Sequence, residues 1–230
     1  MNIIQEERSS DSPFVERVWR NHSERASSFT SVAVSHWEMV VTTLNGRTRL
    51  TVRGPETRAT PAYCPPDGEF FGIVFKLGAF MPHLPVSTIM DRQDLDLPEA
   101  TSRSFWLHGA AWQFPNYDNA EVFVNRLARE ELLVWDSVVD DALQDRPQAV
   151  TIRSVRRRIL RATGLTQSDI RQIERARHAA ILIQQGKSIL DTVYEADYFD
   201  QPHLTRSLRH FIGQTPAQLA VAAAYELMSF

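Results

Sequence analysis

The spacing of apolar residues changes near residue 118. Before that point apolar residues alternate with polar ones or form short runs between prolines and glycines, which is typical of β-strands. After it they recur every three or four residues, as on one face of an amphipathic helix. The sequence therefore predicts an α+β fold, in which a β-rich, sandwich- or barrel-like domain over residues 1–117 is followed by an all-α domain over residues 118–230.

A β-hairpin is predicted over residues 38–53. Two alternating segments are joined there by Asn45-Gly46, and this dipeptide suits a type I′ turn because both central residues need positive φ. A further buried strand is predicted over residues 69–76, between prolines and glycines. Short strands with such boundaries are typical of small β-sandwiches and barrels.

Helix-capping residues recur along the second half of the chain. Asp118 and Glu121 are spaced as a capping box, in which the two side chains bond to backbone N–H groups of the first turn. Gly164, Gly186 and Gly213 are placed to end helices in the left-handed conformation. The predicted helices begin near Asp118, Asp136, Ile152, Thr166, Ser188, Gln201 and Thr215. Seven short helices in this order predict a bundle of helix-turn-helix units.

The net charge of −3 conceals a strongly basic segment. Between Arg146 and His178, nine arginines stand against two acidic residues, Asp169 and Glu174. The planar fork of arginine suits phosphate and the guanine edge, so the segment indicates nucleic-acid binding, with a solvated helix face as the alternative. The arginines are Arg146, Arg153, Arg156, Arg157, Arg158, Arg161, Arg171, Arg175 and Arg177.

Length and composition narrow the class of protein. With 230 residues, 43% of them apolar, the chain can bury two cores. Cys64 is the single cysteine, which excludes an intramolecular disulfide. No apolar run is long enough for a membrane span, and the acidic N-terminus is unlike a secretory signal. We expect a cytoplasmic protein with no membrane partner.

Candidate catalytic chemistry is sparse in the β-rich half. His36, His83 and His108 suggest a cupin-like metal centre, but no His-x-His pair or neighbouring Glu accompanies them, so we expect structural or surface roles. We expect no enzyme activity, no cofactor and no metal. Two alternatives stay open: a cupin-like β-barrel enzyme with a helical appendage, and a protein-binding module whose arginine-rich helix meets an acidic partner.

Aromatic residues are frequent in the same half. They suit either an apolar ligand pocket or the packed core of a small β-domain, and the sequence does not separate the two. They are Trp37, Phe70, Phe71, Phe75, Phe80, Phe105, Trp106 and Trp112.

The helical half resembles a known family. Residues 195–216, which end in Gly213-Gln214-Thr215-Pro216, resemble the signature of the AraC-type (AraC/XylS) regulators, whose C-terminal domain carries two helix-turn-helix motifs bridged by a long helix. Residues 154–165 are similar to the first recognition helix of that family, and the resemblance covers roughly residues 119–225. Asp197 stands where the family usually has Gly, and Val193 where it has Ala; Asp tolerates the left-handed conformation better than most residues.

The resemblance implies a sequence-specific, DNA-binding transcription regulator. Its partners would be double-stranded DNA, a small-molecule effector at the N-terminal domain, and a second copy of the chain in a homodimer. The two recognition helices would enter major-groove segments about one DNA turn, roughly 34 Å, apart. The implied DNA-binding residues are Arg153, Arg156, Arg157 and Arg158 on the first helix, and Gln201, His203, Thr205 and Arg206 on the second. For Arg158 an ion pair within the domain is the alternative to a phosphate contact.

Overall fold

The computed structural model describes residues 3–147 and 149–221. Contacts divide these residues into two compact units. The first unit comprises residues 3–28, 36–55, 63–147 and 149–167, and the second comprises residues 29–35, 56–62 and 168–221. The units therefore do not follow the change in sequence period, because helical residues belong to the first unit and two short N-terminal segments belong to the second.

The strands form one large antiparallel sheet and three small ones. The large sheet has six strands in the order β1-β2-β7-β4-β5-β9, and β10-β11-β12, β13-β8 and β3-β6 form the small sheets. The strands are β1 (Ile3–Ser9), β2 (Val15–Ser23), β3 (Ser27–Ser31), β4 (Glu38–Leu44), β5 (Arg47–Arg53), β6 (Thr60–Cys64), β7 (Gly68–Phe75), β8 (Ala79–Phe80), β9 (Leu95–Asp96), β10 (Glu99–Thr101), β11 (Ser104–Leu107), β12 (Ala110–Gln113) and β13 (Val134–Trp135).

The α-helices come after β12 in the chain, with β13 between the first and the second, and a 3₁₀ turn lies earlier, at Val86–Thr88. They are α1 (Ala120–Arg129), α2 (Ser137–Leu143), α3 (Ile152–Thr163), α4 (Gln167–Gln184), α5 (Ile189–Glu195) and α6 (Gln201–Phe211). Residues 216–221 are also helical, in agreement with the start predicted near Thr215, and the remainder of that predicted helix lies outside the described residues. A β-rich N-terminal part followed by helices confirms the predicted α+β class.

The predicted hairpin is present. β4 and β5 pair from Glu38 opposite Arg53 to Leu44 opposite Arg47, and the turn residues Asn45 and Gly46 have φ of 52° and 74°. Both values lie in the left-handed region that a type I′ turn requires. The buried strand predicted over residues 69–76 is β7, which pairs with β2 and β4.

Aromatic side chains fill the core of the first unit. Trp37 stacks on Phe75 with ring centroids 3.9 Å apart, and Trp112 meets Phe123 edge to face. The indole N–H of Trp37 donates to the carbonyl of Ala79, so its one polar atom is satisfied in the core. The sequence did not decide whether the aromatic residues line a pocket or fill the core. Most of them pack in the core, while Trp106 is exposed.

The capping box predicted at Asp118 and Glu121 is wrong. α1 begins at Ala120 after Asn119, whose side chain makes no cap hydrogen bond and instead accepts from the N–H of Asn116. The Glu121 carboxylate accepts two hydrogen bonds from Arg8, at 2.5 and 2.8 Å, and one from Ser10. A bidentate arginine from a distant strand thus takes the carboxylate that would have closed the box.

Within residues 3–147 and 149–221, no helix is long and apolar enough to cross a membrane.

Replacing Glu121 with Gln should lower the free energy of unfolding at pH 7 by about 1 to 2 kcal/mol, a value discounted because the pair is partly exposed. The hydrogen bond from Arg8 lowers the pKa of Glu121 to about 2, from 4.5. A carboxyl group with a lowered pKa in the folded state stabilises the fold above its unfolded pKa, and this contribution is lost as the pH falls toward the folded pKa. In urea unfolding, the difference between wild type and variant should shrink between about pH 5 and pH 2.

Glu99→Gln, on the exposed edge of β10, is the control for this measurement and should change stability by less than about 0.5 kcal/mol. A Glu121→Gln effect that stays constant across the same pH range would contradict the ionic origin of the stabilisation.

Candidate nucleic-acid interface

The first helix-turn-helix motif consists of α2 and α3. Asp136 caps α2 by accepting the N–H of Val138, and Thr151 caps α3 by accepting the N–H of Ser154. The connection spans residues 144–151, which is longer than the three or four residues of a tight helix-turn-helix turn. Gly164 ends α3 with a φ of 72°, as its position in the sequence predicted.

α3 presents three of its predicted DNA-binding arginines to solvent. Val155 and Ile159 are buried, which places Arg153, Arg156 and Arg157 on the exposed side of the helix. No ion pair within the described residues involves these three guanidinium groups. They are therefore available to base edges or phosphates.

Arg158, in contrast, has a partner within its own motif. Its Nη1 lies 3.0 Å from Oδ1 of Asp136, whose side chain is only 16% exposed. Asp136 thus caps α2 and pairs with α3 at the same time. Of the two roles that the sequence left open for Arg158, the structure contains the ion pair.

A positively charged depression of about 470 Å³ lies beside this ion pair. Asp136, Arg157, Arg158 and Arg161 line it, so three guanidinium groups stand against one carboxylate. The guanidinium of Arg161 lies over the ring of Phe80 at 5.0 Å from its centroid, which fixes the cation at the rim. This arrangement suits an anion such as a DNA phosphate.

The C-terminal end of α3 rests on the β-rich half. A Cβ atom at Gly164 would lie 2.8 Å from the sulfur of Met90 and 3.2 Å from the backbone nitrogen of Ser87, so the helix end packs tightly against the 3₁₀ turn. Beside it, β13 pairs with β8 and leads directly into the α2 cap Asp136. The C-terminal end of α3 is thus packed against the β-rich half, while the first turn of α3 stays exposed.

The second helix-turn-helix motif consists of α5 and α6. Ser188 caps α5 and Asp200 caps α6, where it accepts the N–H of His203 at 2.7 Å. The connection spans only residues 196–200. Within it Asp197 has a φ of 55°, as expected for a residue in the place of the usual glycine. Arg175 supports this turn by donating to the carbonyl of Asp197.

The four residues predicted to bind DNA on α6 have different surroundings. Gln201 and Arg206 are exposed. His203 is half-buried, with its ring edge-on to the buried Tyr198 at 5.1 Å between centroids. Thr205 is also half-buried, and its hydroxyl donates to the carbonyl of Gln201. Gln201 and Arg206 are therefore the two residues of this set with unobstructed side chains.

A β-ribbon from the N-terminal half, formed by residues 29–35 and 56–62, contacts the C-terminal end of α6. The N–H of Ala33 donates to the carbonyl of Phe211 at 2.7 Å, and the N–H of Ala59 donates to that of His210 at 2.8 Å. These bonds satisfy carbonyls that the end of a helix otherwise leaves without partners. A Cβ atom at Gly213 would lie 2.8 Å from a methyl carbon of Thr30, so the ribbon and the helix end are closely packed.

Sequence reasoning missed the partners of the two motifs. These partners are far away in the chain, and no local sequence pattern predicts them. They are the ribbon at α6, the contact of Arg161 with Phe80 and the pairing of β8 with β13. Asp136, which directly follows the apolar run of residues 132–135, was predicted only as the start of a helix. The sequence feature that could have indicated the Arg158 ion pair is the acidic residue Asp136 at the start of the helix before the arginine-rich one.

The histidines predicted to have structural roles do not gather into a metal site within the described residues, where no group of three or more His, Cys, Asp or Glu side chains is placed to hold an ion. The rings of His83 and His108 lie 4.8 Å apart. Burial, together with the neighbouring His108, lowers the pKa of His83.

Comparison with known proteins agrees with the geometry of the helical part. Residues 148–220 match a family model whose description is helix-turn-helix domain, and no curated protein or solved structure gives a significant match. The C-terminal part is thus a helix-turn-helix, DNA-binding domain. A helix-turn-helix domain over residues 148–220 agrees with the AraC-type resemblance of the motifs in this part of the chain.

Replacing Gly164 with Ala should destabilise the first unit by more than the cost of the left-handed backbone conformation alone. Left-handed backbone costs a non-glycine residue about 1 kcal/mol, and here the added methyl also meets Met90 and Ser87. We expect a loss of about 2 to 3 kcal/mol in urea unfolding. All five tryptophans belong to the first unit, so tryptophan fluorescence reports its unfolding.

The matched control is Gly109→Ala, since Gly109 is in the same unit, has a φ of 79° and has open space around it. Its expected cost is about 1 kcal/mol. Equal losses for the two variants would show that the end of α3 is not packed as described.

Proposed function

We propose that this regulator binds a DNA site composed of two boxes, one for α3 and one for α6, and that an effector bound to the β-rich half changes its affinity for that site. The functional division would then lie near residue 118, with residues 1–117 as the sensor or dimerisation domain and residues 118–230 as the DNA-binding domain. A regulator that binds this DNA would act in the cytoplasm.

One observation carries the DNA-binding part of the proposal. Both recognition helices expose their N-terminal turns and are held at their C-terminal ends by segments of the N-terminal half. Helix-turn-helix proteins contact base edges with the N-terminal residues of the recognition helix. The exposed ends are therefore the ends that this mode of docking requires.

The exposed residues supply suitable chemistry. Arg153, Arg156 and Arg157 can donate in pairs to O6 and N7 of guanine, and Gln201 can pair with adenine. Arg161, at the rim of the cationic depression, is placed for a phosphate. His203 and Thr205 remain candidates for backbone contacts, since their side chains are partly engaged within the motif.

The contacts at the helix ends also support regulation through the N-terminal half. The 3₁₀ turn and β8 contact α3, and the ribbon contacts α6. The ribbon is continuous in the chain with the large sheet, since its second segment begins three residues after β5 ends. An effector bound to the β-rich half would act on α3 through the 3₁₀ turn and β8, and on α6 through the ribbon. Binding of a second copy of the chain to the same half is the other route to the same effect.

Selection from random duplex DNA tests the proposal. The full chain should enrich a site with two conserved boxes whose centres lie about 10 to 11 base pairs apart. Enrichment of a single box would leave one helix without a role. Failure to enrich any sequence over a non-specific background would contradict sequence-specific binding altogether.

Replacing Arg156 or Arg157 with Ala should weaken binding of the selected site by about 1 to 3 kcal/mol, or roughly 5- to 150-fold, because each change removes a bidentate contact to a base. Fluorescence anisotropy with a labelled duplex measures the effect. Arg103→Ala, which removes an exposed arginine from the β-rich half, is the control for loss of charge alone. Unchanged affinity for both variants would remove Arg156 and Arg157 from the interface.

Replacing Arg161 with Ala should change the salt dependence of binding instead. A lost phosphate contact lowers affinity about equally for specific and random duplexes and reduces the slope of log Kd against log salt by about one. Anisotropy titrations at several potassium chloride concentrations give the slope. An unchanged slope would place Arg161 outside the DNA contact and leave it in its packing role on Phe80.

A further inference from the structure

Two large apolar side chains stand exposed at the N-terminal ends of the recognition helices. Phe199, just before the cap of α6, is 92% exposed, and Ile152, the first residue of α3, is 73% exposed. Neither side chain contributes to the core, since Ile152 is not among the buried residues of α3 and Phe199 lies before the first residue of α6. Single exposed apolar residues are common on proteins, so it is their position that carries an argument.

The backbone at Phe199 is fixed on both sides. Tyr198 before it is buried, and its hydroxyl lies 2.8 Å from that of Ser207. Asp200 after it accepts the N–H of His203 as the cap of α6. With both neighbours anchored to the motif, the exposed ring of Phe199 projects outward just before the first turn of α6.

Ile152 has the corresponding position on α3. Thr151 before it is the cap, and Val155 three residues later is buried. Arg153 and Arg156 flank it on the exposed side. The isoleucine side chain thus projects from the first turn among the arginines expected at the base edges.

The chemistry of the major groove identifies what such side chains would meet. Every base pair presents hydrogen-bond donors and acceptors there, and the one apolar group is the 5-methyl of thymine. Cationic or amide side chains beside each apolar residue suit DNA rather than a protein surface. Leu190 and Tyr194 are also exposed, but they lie on α5, the first helix of its motif, which crosses the backbone rather than entering the groove.

We propose that Phe199 and Ile152 each contact the 5-methyl group of a thymine, so that each half-site contains a thymine recognised by an apolar side chain next to the bases recognised by Arg153, Arg156 or Gln201. This inference rests on the proposed two-box DNA binding and adds two specificity-determining residues to it. It distinguishes thymine from cytosine and from uracil at these positions.

Uracil substitution tests the methyl contact directly. In the selected duplex, single thymines are replaced by deoxyuridine, which removes one methyl group and preserves base pairing. For the wild-type chain, one thymine in each box should show a loss of about fourfold in affinity, as expected for burial of one apolar carbon.

Double-mutant cycles then assign each methyl to its side chain. The Phe199→Ala variant should bind the thymine duplex more weakly, and its affinity should no longer depend on deoxyuridine in the α6 box. The Ile152→Ala variant should show the same two effects for the α3 box only. Phe199→Leu should retain part of the sensitivity. Tyr194→Ala, which removes another exposed aromatic side chain, on α5, should leave both boxes as sensitive as in the wild type.

The outcomes separate this inference from the proposal on which it rests. Tight binding of a selected site with no sensitivity to deoxyuridine at any position would overturn the methyl contacts and leave the DNA binding intact. Undiminished sensitivity in both alanine variants would also overturn them. Failure of the wild-type chain to select any site would contradict the proposed function itself.

Discussion

Backbone contacts from the N-terminal half fix where each recognition helix ends. For α6 the ribbon donates N–H groups to the carbonyls of His210 and Phe211, and for α3 the helix end at Gly164 packs on the 3₁₀ turn. Helix ends without such partners would carry unsatisfied carbonyls or remain in water. Because the contacts occupy the C-terminal ends, the N-terminal turns are left to solvent, and these turns are the surface that we propose for DNA.

The same constraint explains how the arginines are used. Nine arginines between residues 146 and 178 look like one basic patch in the sequence, but several serve the fold. Arg158 pairs with Asp136, Arg175 lies over Tyr198, and Arg177 donates to the ribbon carbonyl of Ala33. The exposed arginines of α3 that we propose for DNA contact are then a smaller set, centred on Arg153, Arg156 and Arg157. The sequence gives only the number of charged residues in such a segment, whereas the structure shows which of their side chains are exposed to solvent.

Local features were predictable from the sequence and long-range ones were not. The Asn45-Gly46 turn, the helix starts near Asp136, Ser188 and Gln201, and the glycines that follow α3, α4 and α6 depend on a few neighbouring residues. β1 and β2 were missed because charged and apolar residues share both of their faces, and only the pairing of β1 with β2 and of β2 with β7 makes them strands. The Asp118–Glu121 box failed for a similar reason, since Arg8 is more than a hundred residues away in the chain. Helical spacing was enough to predict which site residues face solvent, whereas their contact partners could be identified only from the fold.

Electrostatics and apolar contact make different contributions to recognition by such a chain. Phosphate contacts supply affinity that weakens steeply with salt and is shared by all sequences. A chain with a net charge of −3 and a small set of solvated arginines gains less from this source than a strongly basic protein does. Apolar contacts to thymine methyls depend little on salt and only on sequence, so they raise the ratio of specific to non-specific binding. Exposed apolar residues at the tips of both recognition helices are therefore consistent with a regulator whose selectivity exceeds what its charge alone would provide.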